Sequence, residues 1–429
     1  MKTNCLYVVC FLLLCSTCFA AESTVVHLFL DGPIHAVTSE YVTRGIDHAQ
    51  EINAELVILQ VQTPGGIVDS MRTIISKMVN SKVPVVVYVA PGGARATSAG
   101  FFITIASDLA VMAPGTHLGS AHPVTMGDGG ADTENTKTMM KKATEDSVAY
   151  IKTLAEKRGR NIEQAEKAVR DSISFTETEA LKSKLIDFIA KNKEELLQKA
   201  NGLTIKRFDG SEKKLNLNKP KVIPYEMTRR QKFLSFLADP NITVLLFSIG
   251  MIGILMELYH PGAILPGVVG VLSLSLCFLS AQILPINYIG AMLIAFSIVL
   301  FLLEIKITSY GLLTIGGVVS FVLGATMLFD APIPEMRISY KVIATSVFLI
   351  TATMAFLLFM VVTLHRRKPV TGVQGLLQET GIAKTDIRGS GKVFVHGELW
   401  NATANEPISK GEKVKIVSVD GLNLRVEKQ

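Results

Sequence analysis

The stretch "PVVVYVAPGGARATSAG", Pro84 to Gly100, joins an unbroken apolar run to a turn built mostly of glycine and alanine, with one serine, Ser98, near its end. Four valines and a tyrosine in succession, Val85 to Val89, read as a strand covered on both faces, the pattern of a parallel sheet. Small residues then let the backbone bend sharply and let a second molecule approach closely. A serine in such a place is either part of a tight strand-to-helix turn or a nucleophile presented at the carboxyl end of a strand. The flanking segments decide between the two.

Upstream, "TVVHLFLDGPI" (Thr24 to Ile34) reads as a strand, and "VTSEYVTRGIDHAQEI" places Val37, Tyr41, Ile46, Ala49 and Ile52 near one helical face. The apolar strand "LVILQV" follows, closed by "TPGG" (Thr63 to Gly66), and then a helix carrying Met71, Ile74, Ile75 and Met78. Strand and helix alternate, which predicts an α/β domain with a largely parallel sheet. Ligands of such sheets gather beyond the carboxyl ends of strands. Both "TPGG" and "GARATSAG" lie at such ends, which favours the nucleophile.

The chain of 429 residues is 49% hydrophobic and only 19% charged, which calls for membrane spans. Its start, "MKTNCLYVVCFLLLCSTCFAAES", has one basic residue, an apolar core and small residues at Ala20 and Ala21, so residues 1–20 read as a secretory signal peptide. Four of the five cysteines, Cys5, Cys10, Cys15 and Cys18, lie within it. With only Cys277 left, neither a disulfide framework nor a thiolate metal site is expected. The net charge of +6 is dispersed and leaves no nucleic-acid footprint.

Five apolar runs between 241 and 364 predict five spans. After an exported domain, an odd number puts the C-terminus in the cytoplasm, and "HRRK" (His365 to Lys368) fits the positive-inside rule, whereas Arg229, Arg230 and Lys232 oppose it. "MELYHPGAILPG" and "LEIKITSYGLLTIG" form a weak internal repeat whose glutamates, Glu257 and Glu304, sit at helix ends and read as structural; His260 reads as part of a turn. The tail from 370 alternates with period two in "KVFVHGELW", "EKVKIVSV" and "NLRVEK", predicting a small barrel of the oligonucleotide-binding type with Trp400 in its core. It lacks the aromatic and basic rows of a nucleic-acid binder, so an interaction module is expected.

Acyl transfer needs a nucleophilic oxygen, a base and donors for the oxyanion. Ser98 supplies the first, and the N–H groups of Gly66 and Ala99 the last. His122, Lys137, Lys141 and Lys142 are the candidate bases; a lysine qualifies only where partial burial favours its neutral form. Asp108 or Asp132 would complete a triad only if folding brings one of them to His122. His117, Glu145 and Asp146 read as loop or surface residues.

The run "DGPI…TPGG…PVVVYVAPGGARATSAG…MAPGTHLGSAHPV", followed by "AYIKTLAEKRGRNIEQAEKAVRDSISFTETEALKSKLID", resembles the long-form NfeD membrane serine proteases, the stomatin-operon partner proteins of the ClpP and crotonase-like superfamily. The later segments "MELYHPG" and "GKVFVHGELWNA" extend the resemblance over nearly the whole chain. It implies a multidomain protein: a ClpP/crotonase-like α/β domain over 22–225, a five-helix transmembrane block over 241–364 and an NfeD-type OB-fold over 370–429. It further implies a serine endopeptidase with a Ser–Lys dyad, Ser98 and Lys142, Lys142 standing seven residues before "AYIK". Lys141 and His122 are the alternatives to Lys142, Gly65 and Gly100 flank the substrate, and neither cofactor nor metal is called for. The implied partner and substrate is a stomatin-like membrane protein, met at a lipid membrane by a homo-oligomer whose protease domain is extracytoplasmic. A non-catalytic scaffold organising stomatin- or flotillin-like partners is the competing reading.

Overall fold

The computed structural model describes residues 23–124, 134–259, 262–284, 286–307, 309–329, 336–365 and 373–429. Residues 1–20, expected to be a signal peptide, and Asp132, His260 and the basic residues 366–368 lie outside them. Two compact units divide the chain, Met1–Thr351 and Ala352–Gln429.

The first unit opens with β1 (Thr24–Asp31), α1 (Ala36–Glu51), β2 (Leu56–Gln62), α2 (Val68–Val79), β3 (Val85–Val89), β4 (Arg95–Thr97), α3 (Ala99–Ala106), β5 (Leu109–Met112) and β6 (His117–Gly119). It continues through α4 (Glu134–Lys157), α5 (Ile162–Arg170), β7 (Ser174–Thr176), α6 (Glu177–Lys182), β8 (Phe188–Ile189), α7 (Lys193–Ala200), β9 (Thr204–Lys206), β10 (Glu212–Lys214) and β11 (Lys221–Pro224). The main sheet runs β11-β1-β2-β3-β5-β8 and every pairing in it is parallel. A second sheet, β4-β6-β7, lies beyond the carboxyl ends of β2 and β3 in chain order.

The valine run of β3 explains why the sheet is covered twice. Val85, Val87 and Val89 enter the core that also holds Met71, Ile74, Ile75 and Met78, whereas Val86 and Tyr88 enter the opposite core with Ile58 and Leu196. Helix α1 buries Val37, Tyr41, Ile46 and Ala49 as its period requires. Ile52 does not join them; it is the residue after the last turn and is exposed. The aspartate at position 108 anchors the far side of the domain. Its carboxylate accepts from the Val85 N–H (2.8 Å) and from Arg158 (2.7 Å), and it also pairs with Arg207. One buried anion thereby ties β3, the end of α4 and the strand pair β9–β10 together, and removing it would strand two buried guanidinium groups.

Helix α8 (Arg229–Leu237) leads into five apolar helices, α9 (Pro240–Tyr259), α10 (Leu265–Ile283), α11 (Tyr288–Lys306), α12 (Leu312–Leu328) and α13 (Tyr340–His365). Among the described residues three are long and apolar enough to cross a membrane, α9, α10 and α13 over Tyr340–Met360; Tyr288–Glu304 and Leu312–Leu328 are shorter. The five predicted runs are therefore five helices but three full-length spans. Helices α9 and α10 form one hairpin and α11 and α12 another, each closed by small residues: a Cβ on Gly253 would stand 2.9 Å from the Gly270 Cα, and one on Gly324 2.9 Å from the Gly290 oxygen. The repeated glutamates have matching structural tasks. Glu257 accepts from the Gly262 N–H (3.2 Å), and Glu304 accepts from the N–H groups of Gly311 (3.0 Å) and Thr314 (2.9 Å), satisfying donors at the start of the following helix.

In the second unit the short helix α14 (Val373–Leu376) precedes β12 (Thr380–Ala383), β13 (Ser390–Val395), β14 (Glu398–Thr403), β15 (Lys413–Asp420) and β16 (Asn423–Lys428). They close a barrel in the order β12-β13-β14-β16-β15, with β14 and β16 parallel. The stretch "KVFVHGELW" divides into two strands at His396 and Gly397, both at positive φ (51° and 83°), the conformation of a two-residue hairpin turn. Trp400 does not fill the core: it is half-buried against it, and Val393, Val414, Ile416 and Leu424 occupy the interior. An indole is too large for so narrow an interior and packs at its margin.

Two buried histidines, His27 on β1 and His35 at the start of α1, have pKa values lowered to about 4, in both cases chiefly by burial. The unfolded chain takes up their protons near 6.5 and the folded one only near 4, so this stability is full above 6.5 and is lost as pH falls toward 4. The loss reaches on the order of 3 kcal/mol per histidine. Circular-dichroism melts of the detergent-solubilised protein should show the midpoint falling across this window, and a His27→Gln, His35→Gln double variant should flatten the curve. A variant curve as steep as the parent's would place the acid-labile groups elsewhere.

Candidate active site

The carboxyl end of β2 is bound to the Ser98 turn through the backbone. The Thr63 N–H donates to the Arg95 oxygen (2.8 Å), and the Thr97 N–H donates to the Thr63 oxygen (3.2 Å). Thr63 also braces the glycines that follow, its hydroxyl oxygen accepting from the Gly65 N–H at 3.1 Å. From the other side, the Ile34 N–H donates to the Gly65 oxygen and the Ile67 N–H to the Ile34 oxygen, each at 2.8 Å. Neither glycine could carry a side chain. A Cβ on Gly65, whose φ is +112°, would stand 2.5 Å from the Ser98 Cβ, and one on Gly66 would stand 2.1 Å from the Ile34 oxygen.

Ser98 occupies a strained backbone conformation, φ 54° and ψ −121°, immediately before α3. Its N–H is held by the Gly119 oxygen (3.0 Å), and its own oxygen accepts from the Phe101 N–H (3.0 Å). Strand β6 thus fixes the turn from one side and α3 from the other. The side chain is half-buried, and among the described residues its hydroxyl makes no hydrogen bond. The N–H groups of Gly66 and Ala99 likewise donate to no described residue. A strained serine, a helix start and an adjacent glycine loop whose N–H groups are free among the described residues are the elements from which an oxyanion site can be built. Gly100, expected beside a substrate, is buried, and a Cβ there would stand 2.5 Å from the Thr63 Cγ2. Its smallness lets α3 pack against the end of β2.

The candidate bases separate by the helix ridge on which they stand. Lys142, Asp146 and Tyr150 follow one another at intervals of four along α4, and therefore share a ridge. Asp146 pairs with Arg72 of α2, whose guanidinium lies 4.7 Å from the centre of the Tyr150 ring; Tyr150 in turn stacks on Phe102 of α3 at 6.1 Å. This ridge faces the two helices that leave from Gly66 and Ser98. Lys137 and Lys141 stand on the next ridge with Glu145, which accepts from Arg170 of α5 at 2.7 and 3.0 Å. Lys142 is exposed and no hydrogen bond joins it to Ser98; burial along α4 begins only at Thr144. The partial burial a lysine base requires is thus not provided by the described residues of one chain.

His122 is held through Nδ1, 3.0 Å from the Val169 oxygen at the end of α5. Asp108 is no triad partner, being consumed by Arg158 and Arg207, and His117 lies exposed in β6. Asp146 is exposed, as expected of a surface charge, but it pairs with Arg72, a residue that the sequence did not single out. The four-residue spacing from Lys142 to Asp146 and Tyr150 was the available signal.

Three sequence models of one family match consecutive parts of the chain: "NfeD1b, N-terminal domain" over residues 24–223, "NfeD integral membrane domain" over 241–361 and "NfeD-like C-terminal, partner-binding domain" over 373–428. The chain belongs to the NfeD family. It is an integral membrane protein, as the NfeD membrane domain and the apolar helices require. Among NfeD-related proteins, the membrane-bound protease PH1510 of Pyrococcus horikoshii is 32% identical over 412 residues, 93% of this chain and 92% of the relative. Membrane protein NfeD1b of Bacillus subtilis is 26% identical over 422 residues, 95% and 93% of the two chains. Solved structures include the 1510-N membrane-bound stomatin-specific protease as a mutant in complex with a substrate peptide (34% identity, TM-score 0.46, 50% of this chain and 98% of that one). The 1510-N protease from Pyrococcus horikoshii, specific for a stomatin homolog, aligns at 34% identity with TM-score 0.44, over 51% and 100% of the two chains.

If Ser98 is the nucleophile, Gly65→Ala, whose Cβ would stand 2.5 Å from the Ser98 Cβ, should abolish its labelling by a fluorophosphonate, while Gly316→Ala, whose Cβ would meet only the Leu300 side chain at an ordinary 3.4 Å, labels like the parent. Labelling of both at parental rates would mean that the glycine loop does not border the labelled hydroxyl.

Proposed function

We propose that this NfeD protein is a membrane-anchored serine endopeptidase acting through Ser98 and Lys142. The observation that carries the proposal is the strained Ser98 turn beside the Gly65–Gly66 loop, with the N–H groups of Gly66 and Ala99 unengaged among the described residues. The curated relative described as a membrane-bound protease supports the same class. In the reaction, the Ser98 Oγ attacks the scissile carbonyl carbon while its proton passes to the neutral Lys142 Nζ. The oxyanion is held by the two N–H groups, the leaving amine takes the proton from Nζ, and water then hydrolyses the acyl-enzyme. Of the lysines, Lys142 is supported by its ridge, which faces α2 and α3. Its burial is supplied by the bound substrate or by a second copy of the chain, in keeping with a homo-oligomer. Val68, exposed one residue beyond Ile67, offers an apolar rim beside the glycine loop, which suits an apolar segment of a stomatin-like membrane protein.

One observation favours a second base. With Nδ1 engaged by the Val169 oxygen, His122 keeps Nε2 available as a proton acceptor. Ser98→Ala should abolish cleavage of an apolar fluorogenic peptide, and Lys142→Ala should lower turnover by roughly 100- to 10,000-fold, whereas Lys141→Ala and Lys137→Ala stay near the parent. If His122→Ala is inactive and Lys142→Ala is not, the enzyme is of the Ser–His type; an active Ser98→Ala would leave only the scaffold reading.

The same proposal assigns domains of 22–225, 241–364 and 370–429, a cleaved leader over 1–20, five membrane crossings that include the two shorter helices, an extracytoplasmic Ser98 and a cytoplasmic barrel of the OB type. The barrel's strand order and its parallel β14–β16 pair support the OB assignment. A cysteine replacing Ser409, exposed in the barrel, should resist an impermeant thiol reagent in intact cells and react after lysis. Reaction before lysis would reverse the topology.

A further inference from the structure

Three features of the reaction site leave along three helices: α2 starts after the Gly65–Gly66 loop, α3 starts at the residue following Ser98, and α4 carries Lys142. The helices are joined at one place. Arg72, one turn into α2, pairs with Asp146 of α4 and lies over the Tyr150 ring, and Tyr150 stacks on Phe102 in the first turn of α3. Asp146 is one helical turn from Lys142 on the same ridge. We infer that Arg72 is a positioning residue: through Asp146 and Tyr150 it sets the rotation of α4 that aims Lys142 at Ser98. This deepens the Ser98–Lys142 reading and rests on it.

The Arg72–Asp146 pair is solvated, with 41% and 67% of the two side chains exposed, so it contributes little to overall stability. The guanidinium is nevertheless constrained twice, by a carboxylate in one direction and by an aromatic face in the other. Lysine cannot reproduce both contacts with one planar group. Tyr150 is itself half-buried, and burial holds its hydroxyl above the ordinary tyrosine range, so the ring stays neutral as a platform. Below the clamp, α4 is fixed by Val148, Ile151 and Leu154 in the core; above it, residues 137–139, 141 and 142 are exposed. Arg72 therefore acts at the last anchored turn before the lysine. A rotation of one helix by a small angle there displaces Nζ by an ångström or more, enough to matter for proton transfer, since misplacement of about 1 Å costs on the order of 100-fold.

The test uses the full chain in detergent, with a fluorophosphonate to measure acylation of Ser98 and an apolar fluorogenic peptide to separate kcat from KM. Arg72→Ala and Asp146→Asn should each lower kcat and the labelling rate by about tenfold with KM within about twofold, and the double variant should be no slower than either single one. Arg72→Lys should recover part of the rate. In a Lys142→Ala background, Arg72→Ala should change the residual labelling rate less than twofold, because the residue through which it acts is gone. Parental kcat for Arg72→Ala, or the same tenfold loss with and without Lys142, overturns the positioning role while leaving the dyad intact. Full activity of Lys142→Ala would instead remove the dyad, a result recognisable without any Arg72 variant. Melting curves of each variant accompany the rates: a loss of rate that tracks a loss of folded protein, and that Arg72→Lys does not relieve, also counts against the positioning role.

Discussion

The close approach of the Thr63–Gly66 segment to the Ser98 turn is the constraint on which the rest of the site depends. Gly65 has no Cβ because the Ser98 side chain occupies that place, and Gly66 has none because the Ile34 backbone does. Given those contacts, the backbone bonds from Thr63 to the β4 strand and from Ser98 to Gly119 can hold the serine in a conformation it would not adopt alone. The strain is sustained by two sheets and a helix that meet at one turn. Among the described residues it leaves the hydroxyl and two N–H groups uncommitted.

Much of this was readable from the sequence because the decisive signals are local. Five residues of β3 covered on both faces, glycines at strand ends and the helical spacing of Met71, Ile74, Ile75 and Met78 each follow from short-range sterics and burial. What could not be read depends on contacts far apart in the chain. Asp108 lies fourteen positions before His122 and looked available to it; only the fold shows that Arg158 and Arg207 claim it. The difference between Lys141 and Lys142 has the same origin, since adjacent residues differ by about 100° around a helix and only the packed neighbours show that the Lys142 ridge is the one turned toward α2 and α3. Trp400 was misread for a related reason: a large apolar residue marks apolar surroundings without saying how deep it lies.

The membrane block applies one local solution twice. Buried helix ends have unsatisfied N–H groups, and lipid provides no acceptor for them. Each hairpin answers with a glutamate from the end of its first helix, which accepts from backbone donors in the turn and the next helix, and with glycines where the helices touch. Their place at helix ends marked these carboxylates as structural in the sequence; that their partners are backbone N–H groups only the fold shows.

The outermost pairing of the main sheet bears on how the domain is made. β1, the first described strand, has β2 on one side and β11, the last strand of the sheet in the chain, on the other. During synthesis β2 emerges soon after β1, whereas Lys221–Pro224 is made only after every other strand of the α/β domain. Until then the nascent β1 carries an open row of peptide donors and acceptors, a template for pairing with a neighbouring chain. A chain cut short before Lys221 therefore keeps an open, adhesive edge on β1.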